Sequence, residues 1–242
     1  MTKALSAALV LLAAGMLVSA CESTQDKSAK LAKEAKKLVQ AKGLTVTKVN
    51  PDVAVVSTSV LRDQNGTAAV VELRNKTDKP LASLPLAIDV TDSAGKSLFK
   101  NNASGLAASL VQAALIPPRG KLVWVDDQVQ VSTTPKAVKA KVGVGPPKPP
   151  STLPEVVVGP AHLEDDPISG ISAVGRVTNK SKIDQRKLVI FAVARKGGRI
   201  VAAGRGEIDR LKAGKSTHYS IFFIGNPKGA ELTLDAPPTT FG

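Results

Sequence analysis

The chain has 242 residues, with 33 Lys and Arg against 20 Asp and Glu, a formal net charge of +13 and a single cysteine. That lone thiol excludes internal disulfides and thiolate metal cages, so stability must come from apolar burial. With one Trp, one Tyr and five Phe, the burial falls to Val, Leu, Ile and Ala, a composition that favours sheet. The positive excess favours anionic neighbours or serves as a solvated surface.

Lys3 is followed by an apolar stretch, Ala4 to Val18, and then by Val18-Ser19-Ala20-Cys21. A charged start, an apolar core of about fifteen residues and small residues before a cleavage point describe a secretory signal. The stretch is short against the roughly twenty residues of a membrane-spanning helix. The only cysteine stands directly after the small residues, and the pattern resembles the lipobox of bacterial lipoproteins. The resemblance implies that residues 1–20 are a signal peptide and that Cys21 becomes a lipid-modified N-terminus. Cysteine suits that role because its thiolate is nucleophilic enough to take a diacylglyceryl group as a thioether. Three readings compete: an ordinary signal cut at Ala20 that leaves Cys21 a free thiol, an uncleaved transmembrane helix, or an incidental Cys21.

Residues 21–43 carry the lipidated cysteine and a Lys/Ala-rich tether. At helical spacing Leu31, Ala35, Leu38 and Val39 fall on one arc and Lys30, Lys33, Lys36 and Lys37 opposite, with Gly43 closing the pattern. Two readings stay open. The segment is a helix lying on a bilayer with its lysines toward anionic headgroups, or a disordered spacer.

The remainder reads twice. Pro51-Asp52-Val53-Ala54-Val55 matches Pro154-Glu155-Val156-Val157-Val158, and Arg74-Asn75-Lys76-Thr77 matches Thr178-Asn179-Lys180-Ser181. Leu84, Leu86, Ile88 and Val90 match Leu188, Ile190, Ala192 and Ala194, each run entering a Gly-containing turn. Gly120-Lys121 matches Gly214-Lys215, and Pro135-Lys136 matches Pro227-Lys228 before a short last strand. The offset falls from 103 between Pro51 and Pro154 to 92 between Pro135 and Pro227. The excess lies in Lys100 to Leu115, expected to be a short helix carrying Leu106, Leu110 and Leu115. Between the copies, Gly145-Pro146-Pro147-Lys148-Pro149-Pro150-Ser151 is too proline-rich to join a ladder and favours a stiff extended spacer.

Alternating apolar runs of four to eight residues between Gly, Pro, Asn and Asp turns indicate antiparallel sheets. The expected fold is all-β: two tandem immunoglobulin-like antiparallel β-sandwiches, 44–144 and 154–242, joined by a linker at 145–153. The second copy resembles the FxLYD-type domain of bacterial surface lipoproteins in Val177-Thr178-Asn179-Lys180-Ser181, Leu188 to Ala194, Gly197-Gly198, Leu211-Lys212-Ala213-Gly214-Lys215 and Tyr219 to Phe223. The Tyr-Asp signature of that family is replaced by Ala194-Arg195. The resemblance implies an extracytoplasmic sandwich with no particular ligand.

No catalytic pattern stands out. Gly95-Lys96-Ser97 and Gly214-Lys215-Ser216 end like phosphate-binding loops, but Val90 and Asp209 occupy the earlier glycine positions, so both read as turns. His162 and His218 are the only imidazoles and neither sits in a nucleophile motif. Glu164-Asp165-Asp166 lacks the central glycine and alternating ligands of a calcium loop. Asp126-Asp127 are adjacent in a strand and point to opposite faces. Trp124 reads as core or junction packing, with sugar stacking as the alternative. Asn75-Lys76-Thr77 and Asn179-Lys180-Ser181 are two of four glycosylation-like triplets and, under a bacterial address, read as turns. No catalytic residue, cofactor or metal is therefore expected, and Cys21 is the one modified site.

The sequence thus points to a non-catalytic binding or scaffolding protein on the outer face of a cell membrane, held there through Cys21. Its partners would be anionic envelope polymers or another envelope protein. Basic residues are spread and aromatics few, which argues against nucleic acid. The competing reading is an envelope enzyme or accessory subunit with a site at the junction, marked by acids, His162 or His218 converging in one cleft.

Overall fold

A computed structural model describes residues 43–146, 148 and 150–241. The signal peptide, Cys21 and the tether up to residue 42 lie outside the described residues. Among the described residues no helix is long and apolar enough to cross a membrane.

Among the described residues, alternation and turn residues produce fifteen strands and one turn of helix. The first half contains β1 (Val53–Asp63), β2 (Gly66–Asn75), β3 (Leu81–Thr91), β4 (Ser97–Lys100), α1 (Ala108–Val111), β5 (Gln112–Ile116), β6 (Lys121–Asp126) and β7 (Ala137–Val142). The second contains β8 (Val156–Val158), β9 (His162–Asp166), β10 (Gly170–Asn179), β11 (Gln185–Lys196), β12 (Arg199–Leu211), β13 (Ser216–Phe222), β14 (Ile224–Gly225) and β15 (Glu231–Asp235). Every pairing is antiparallel. One sheet runs β1-β2-β6 and another β4-β3-β5 with β7 on β3; the second half forms β8 or β9 on β10-β13, and β14-β12-β11-β15. The protein is an all-β sandwich, as its composition indicated.

The two halves repeat down to single hydrogen bonds. Asn75 Nδ2 donates to Lys79 O (2.7 Å) and Ile116 O (3.3 Å), while its Oδ1 accepts from the Thr77 amide and hydroxyl. Asn179 does the same with Ile183 O (2.8 Å), Leu211 O (3.2 Å) and Ser181. Both asparagines are buried, so each amide closes a turn whose carbonyls would otherwise lack partners. The Asn-Lys-Thr and Asn-Lys-Ser triplets are therefore turns. The ladders place Lys121 opposite Arg74 and Ser216 opposite Thr178, so the late landmarks match one residue away from the Gly-Lys alignment read from sequence. In this register the sole Trp and sole Tyr are equivalent: Trp124 lies opposite Val71 and Tyr219 opposite Gly175. A Cβ at Gly175 would lie 2.5 Å from Tyr219 Oη, so glycine there makes room for the phenol.

The insert departs from the expected helix. Only Ala108–Val111 is helical, with Leu110 buried, and Leu115 belongs to β5. In the second half β12 pairs along nearly all of β11, whereas the insert interrupts that strand between β4 and β5. Asn101 fills the gap: its Oδ1 accepts from Ile88 N (2.7 Å) and its Nδ2 donates to Leu86 O and Leu110 O (both 2.8 Å).

The halves do not stand apart on the linker. Leu188, Ile190, Ala192 and Ala194 of β11 enter the core of the second half, while Val189, Phe191 and Val193 enter the apolar cluster built around β2, β3 and β6. In β2, Ala68, Ala69, Val70 and Val71 are all fully buried, so the face expected to meet water is covered. The β1-β2-β6 sheet packs on the β14-β12-β11-β15 sheet, and the described residues form one compact unit.

Candidate binding site at the junction of the halves

Register decides what β11 and β12 present to the first half: Val189 opposite Glu207, Phe191 opposite Arg205 and Val193 opposite Ala203. Facing them, Val70 lies opposite Val125 and Glu72 opposite Val123. The centre is apolar and ion pairs flank it. On one side Arg195 pairs with Glu72, which also accepts from Ser57 Oγ. Burial pushes the Glu72 carboxyl up, but the Ser57 hydrogen bond and Arg195 outweigh it and hold it below the usual range.

On the other side the junction opens into a cavity of about 360 Å³. Ala114, Val189, Phe191 and Pro237 supply its apolar wall, and Ser83, Gln112, Arg186, Lys187, Glu207 and Thr239 are among its polar groups. Ser83 and Lys187 occupy matching positions in β3 and β11, with φ of 52° and 49°. At each, the ladder to the next strand skips one pair. A left-handed residue with a side chain costs about 1–2 kcal/mol, and both such residues of these strands line the same cavity.

Arg205 stands on the same sheet face as Phe191 and its side chain is only 6 % exposed. Its Nη2 donates to Ser109 Oγ (3.0 Å) and lies 3.5 Å from Glu207 Oε2, while Nε lies 3.9 Å from Asp127 Oδ1. Its Nη1 is buried with no hydrogen-bond partner among the described residues. Lys187 Nζ reaches Glu207 at 3.1 Å and also pairs with Asp209, and these contacts raise the amine above its ordinary range. Burial raises the Asp127 carboxyl even though Arg205 opposes it. Burial likewise pushes Asp126 up to about 6.

The residues singled out in the sequence divide as follows. Asp126 shares the inner face of β6 with Trp124, while Asp127 lies just past the end of that strand, with its Oδ1 3.9 Å from Arg205 Nε. Trp124 is fully buried and its Nε1 donates to Ser109 O (2.9 Å), which leaves no ring face for a sugar. Gly95 and Gly214 lie in turns between strands. His162, Glu164 and His218 do line one groove, with Arg176, on the outer face of β9-β10-β13, not at the junction. Arg176 Nη1 lies 2.6 Å from His218 Nε2, and His162 Nε2 lies 3.4 Å from Glu164 Oε1, all exposed. Asp165 pairs with Lys228, and Asp166 accepts from the Ile168 and Ser169 amides in a hairpin turn. Among the described residues no group of three His, Cys, Asp or Glu is disposed to hold a metal ion.

Arg205, Phe191, Ser83 and Lys187 escaped the sequence reading. One signal was available: Leu188 to Ala194 is apolar at every position, which marks a strand buried on both faces. Nothing in sequence marked Arg205, whose burial depends on the first half being laid over it.

No protein-family model matches the chain, so the likeness to FxLYD domains rests on the quoted residues alone. No curated protein sequence matches it either. Among solved structures, an exo-chitosanase from Amycolatopsis orientalis is similar over 76 % of this chain and 26 % of its own, at 13 % identity and a TM-score of 0.28. The chain thus spans about a quarter of that enzyme, and a likeness at that score carries no argument.

Proposed function

We propose that this chain is a lipid-anchored extracytoplasmic protein that serves as a non-catalytic binding or scaffolding module at the cell envelope. The observation that carries the reading is Cys21, the only cysteine, placed directly after an apolar stretch and two small residues. The halves are read as tandem immunoglobulin-like sandwiches, the second of FxLYD type. Two structural features support the reading. A cleft of the described body is lined by Lys48, Lys79 and Lys148, with Val49 and Val144 exposed next to it. Cations with exposed apolar side chains suit an anionic bilayer surface or wall polymer. The junction adds a partly open, largely apolar cavity of the size that holds small ligands.

The second reading, an envelope enzyme or accessory subunit acting at the junction, is favoured by that same cavity. Against it, Glu207 is engaged by Lys187 and Arg205, and the imidazoles lie on another face. The anchoring claim is tested by fractionating a bacterial host that expresses the full chain or its Cys21→Ala variant. The unaltered chain is expected with membranes and the variant in the soluble exported fraction. A variant that still partitions wholly with membranes, or an unmodified mature N-terminus by mass spectrometry, overturns it.

A further inference from the structure

Lys48, Lys79 and Lys148 line one cleft of the first half, about 400 Å³ in volume. The Lys76 amide donates to Asp52 O (2.8 Å), and Asp52 lines the same cleft, so Lys76 stands beside it. Among the described residues none of these four amines has a hydrogen-bond or ion-pair partner. Acid is scarce around them. Asp78, in the same turn as Lys76 and Lys79, is held by Arg119 through bonds of 2.7 and 2.9 Å. Of the described residues lining the cleft, Asp52 is the one acid.

The second half shows that the turn itself does not need these cations. Lys180 repeats the backbone bond of Lys76, donating to Glu155 O (2.9 Å), yet its amine pairs with Glu155 at 3.3 Å. Asn75 bonds the carbonyl of Lys79, whereas Asn179 bonds that of Ile183, so the equivalent position is apolar there. Like charges gathered without counter-charge repel one another, and an anion seated among them relieves the repulsion. The rest of the wall is largely carbon, with Pro51, Pro80, Leu81 and Val144. Val144 is 48 % exposed, and Val49, bridged to the adjoining Gly143, is 56 % exposed. An ionic polymer would engage the lysines alone; a lipid engages both the lysines and the apolar wall.

We propose that this cleft binds the headgroup of an anionic phospholipid, its phosphate among Lys48, Lys79 and Lys148 and the first carbons of its chains against Pro80, Leu81 and Val144. The inference rests on the reading of the protein as an envelope binding module and names a ligand for it. A cleft of about 400 Å³ takes about thirteen non-hydrogen atoms at the ~30 Å³ that each water occupies in the liquid, the scale of a glycerophosphate headgroup. Each lysine beside an anionic headgroup contributes about fivefold in affinity.

The test titrates dihexanoyl phosphatidylglycerol, kept monomeric, into the full chain carrying Cys21→Ala, with amide chemical shifts read by NMR. Dihexanoyl phosphatidylcholine and glycerol phosphate are titrated in parallel. The anionic lipid should saturate and move the Lys48, Lys79 and Val144 amides, with each comparison ligand at least about tenfold weaker. Lys79→Ile, the residue of the equivalent turn, should weaken binding about fivefold and leave the remaining amide spectrum unchanged. Lys48→Gln, Lys79→Ile and Lys148→Gln together should weaken it about a hundredfold. Lys196→Gln, Lys212→Gln and Lys215→Gln together remove the same charge from the exposed surface of the second half, and should leave binding within about twofold. The proposal is overturned if the anionic lipid does not saturate, if phosphatidylcholine binds equally well, or if the two lysine sets weaken binding alike. Glycerol phosphate binding as tightly as the lipid also overturns it, and would mark a site for a phosphate polymer. Should a variant misfold, the comparison of the three ligands decides. Because the tested chain lacks the thiol, its outcome is independent of whether Cys21 is lipidated, which the fractionation decides.

Discussion

Phe191 is the side chain on which the union of the halves most depends. It is 4 % exposed, belongs by sequence to the second half and packs in the cluster centred on the first. Phe191→Ala removes the ring, and buried Phe→Ala changes cost about 3–5 kcal/mol. Cavities of about 360 Å³ and 530 Å³ already flank this ring, so the new void merges with space that exists and the lower end, about 3 kcal/mol, applies. For a folded body of this size each kcal/mol shifts Tm by about 2–4 °C, so a fall of roughly 6–12 °C is expected. Calorimetry of the full chain should show a single transition for unaltered and variant protein alike, because β11 is core to both halves. Phe222→Ala, on the outer face at 50 % exposure, serves as the control and should change stability by less than about 1 kcal/mol. Two separate transitions, with only the second shifted by Phe191→Ala, would refute the shared core. So would a loss no larger than that of the control.

Asp126 has its carboxyl pushed up to about 6 from an ordinary 3.8 by burial. Between these values the folded state keeps a proton that the unfolded chain releases, so stability falls as pH rises from about 4 to 6, by up to roughly 3 kcal/mol. Asp126→Asn retains the Oδ1 that accepts from Gln128 N. It should flatten that pH dependence and stabilise the protein at pH 7, as read by urea unfolding at both pH values; equal stabilities of the two proteins at pH 7 would count against a buried neutral acid. Asn75→Ala and Asn179→Ala each strip the partners from two or more turn carbonyls, and should each cost about 2–3 kcal/mol. If the two turns are equivalent the losses agree to within about 1 kcal/mol by the same measurement; a large loss at one site alone would mean that the repeated bonds do not carry repeated weight.

Local chemistry was legible from residues alone. Alternation with Gly, Pro and Asn turns specified antiparallel strands, because a strand with one wet face must alternate. The twin asparagine turns announced the repeat, since a buried amide that closes its own turn leaves the same short pattern wherever it recurs. What tertiary structure alone decided was which faces meet. Val70 and Phe191 occupy positions that, on an isolated sandwich, point to solvent; only the stacking of the two inner sheets buries them. That same stacking encloses Arg205, leaves one of its donors without a partner among the described residues and borders a cavity at the junction, while Asn101 takes over the ladder that the insert breaks. The contacts across the junction join residues roughly a hundred positions apart and depend on sheet faces meeting at a particular angle, a relation that neither periodicity nor composition encodes.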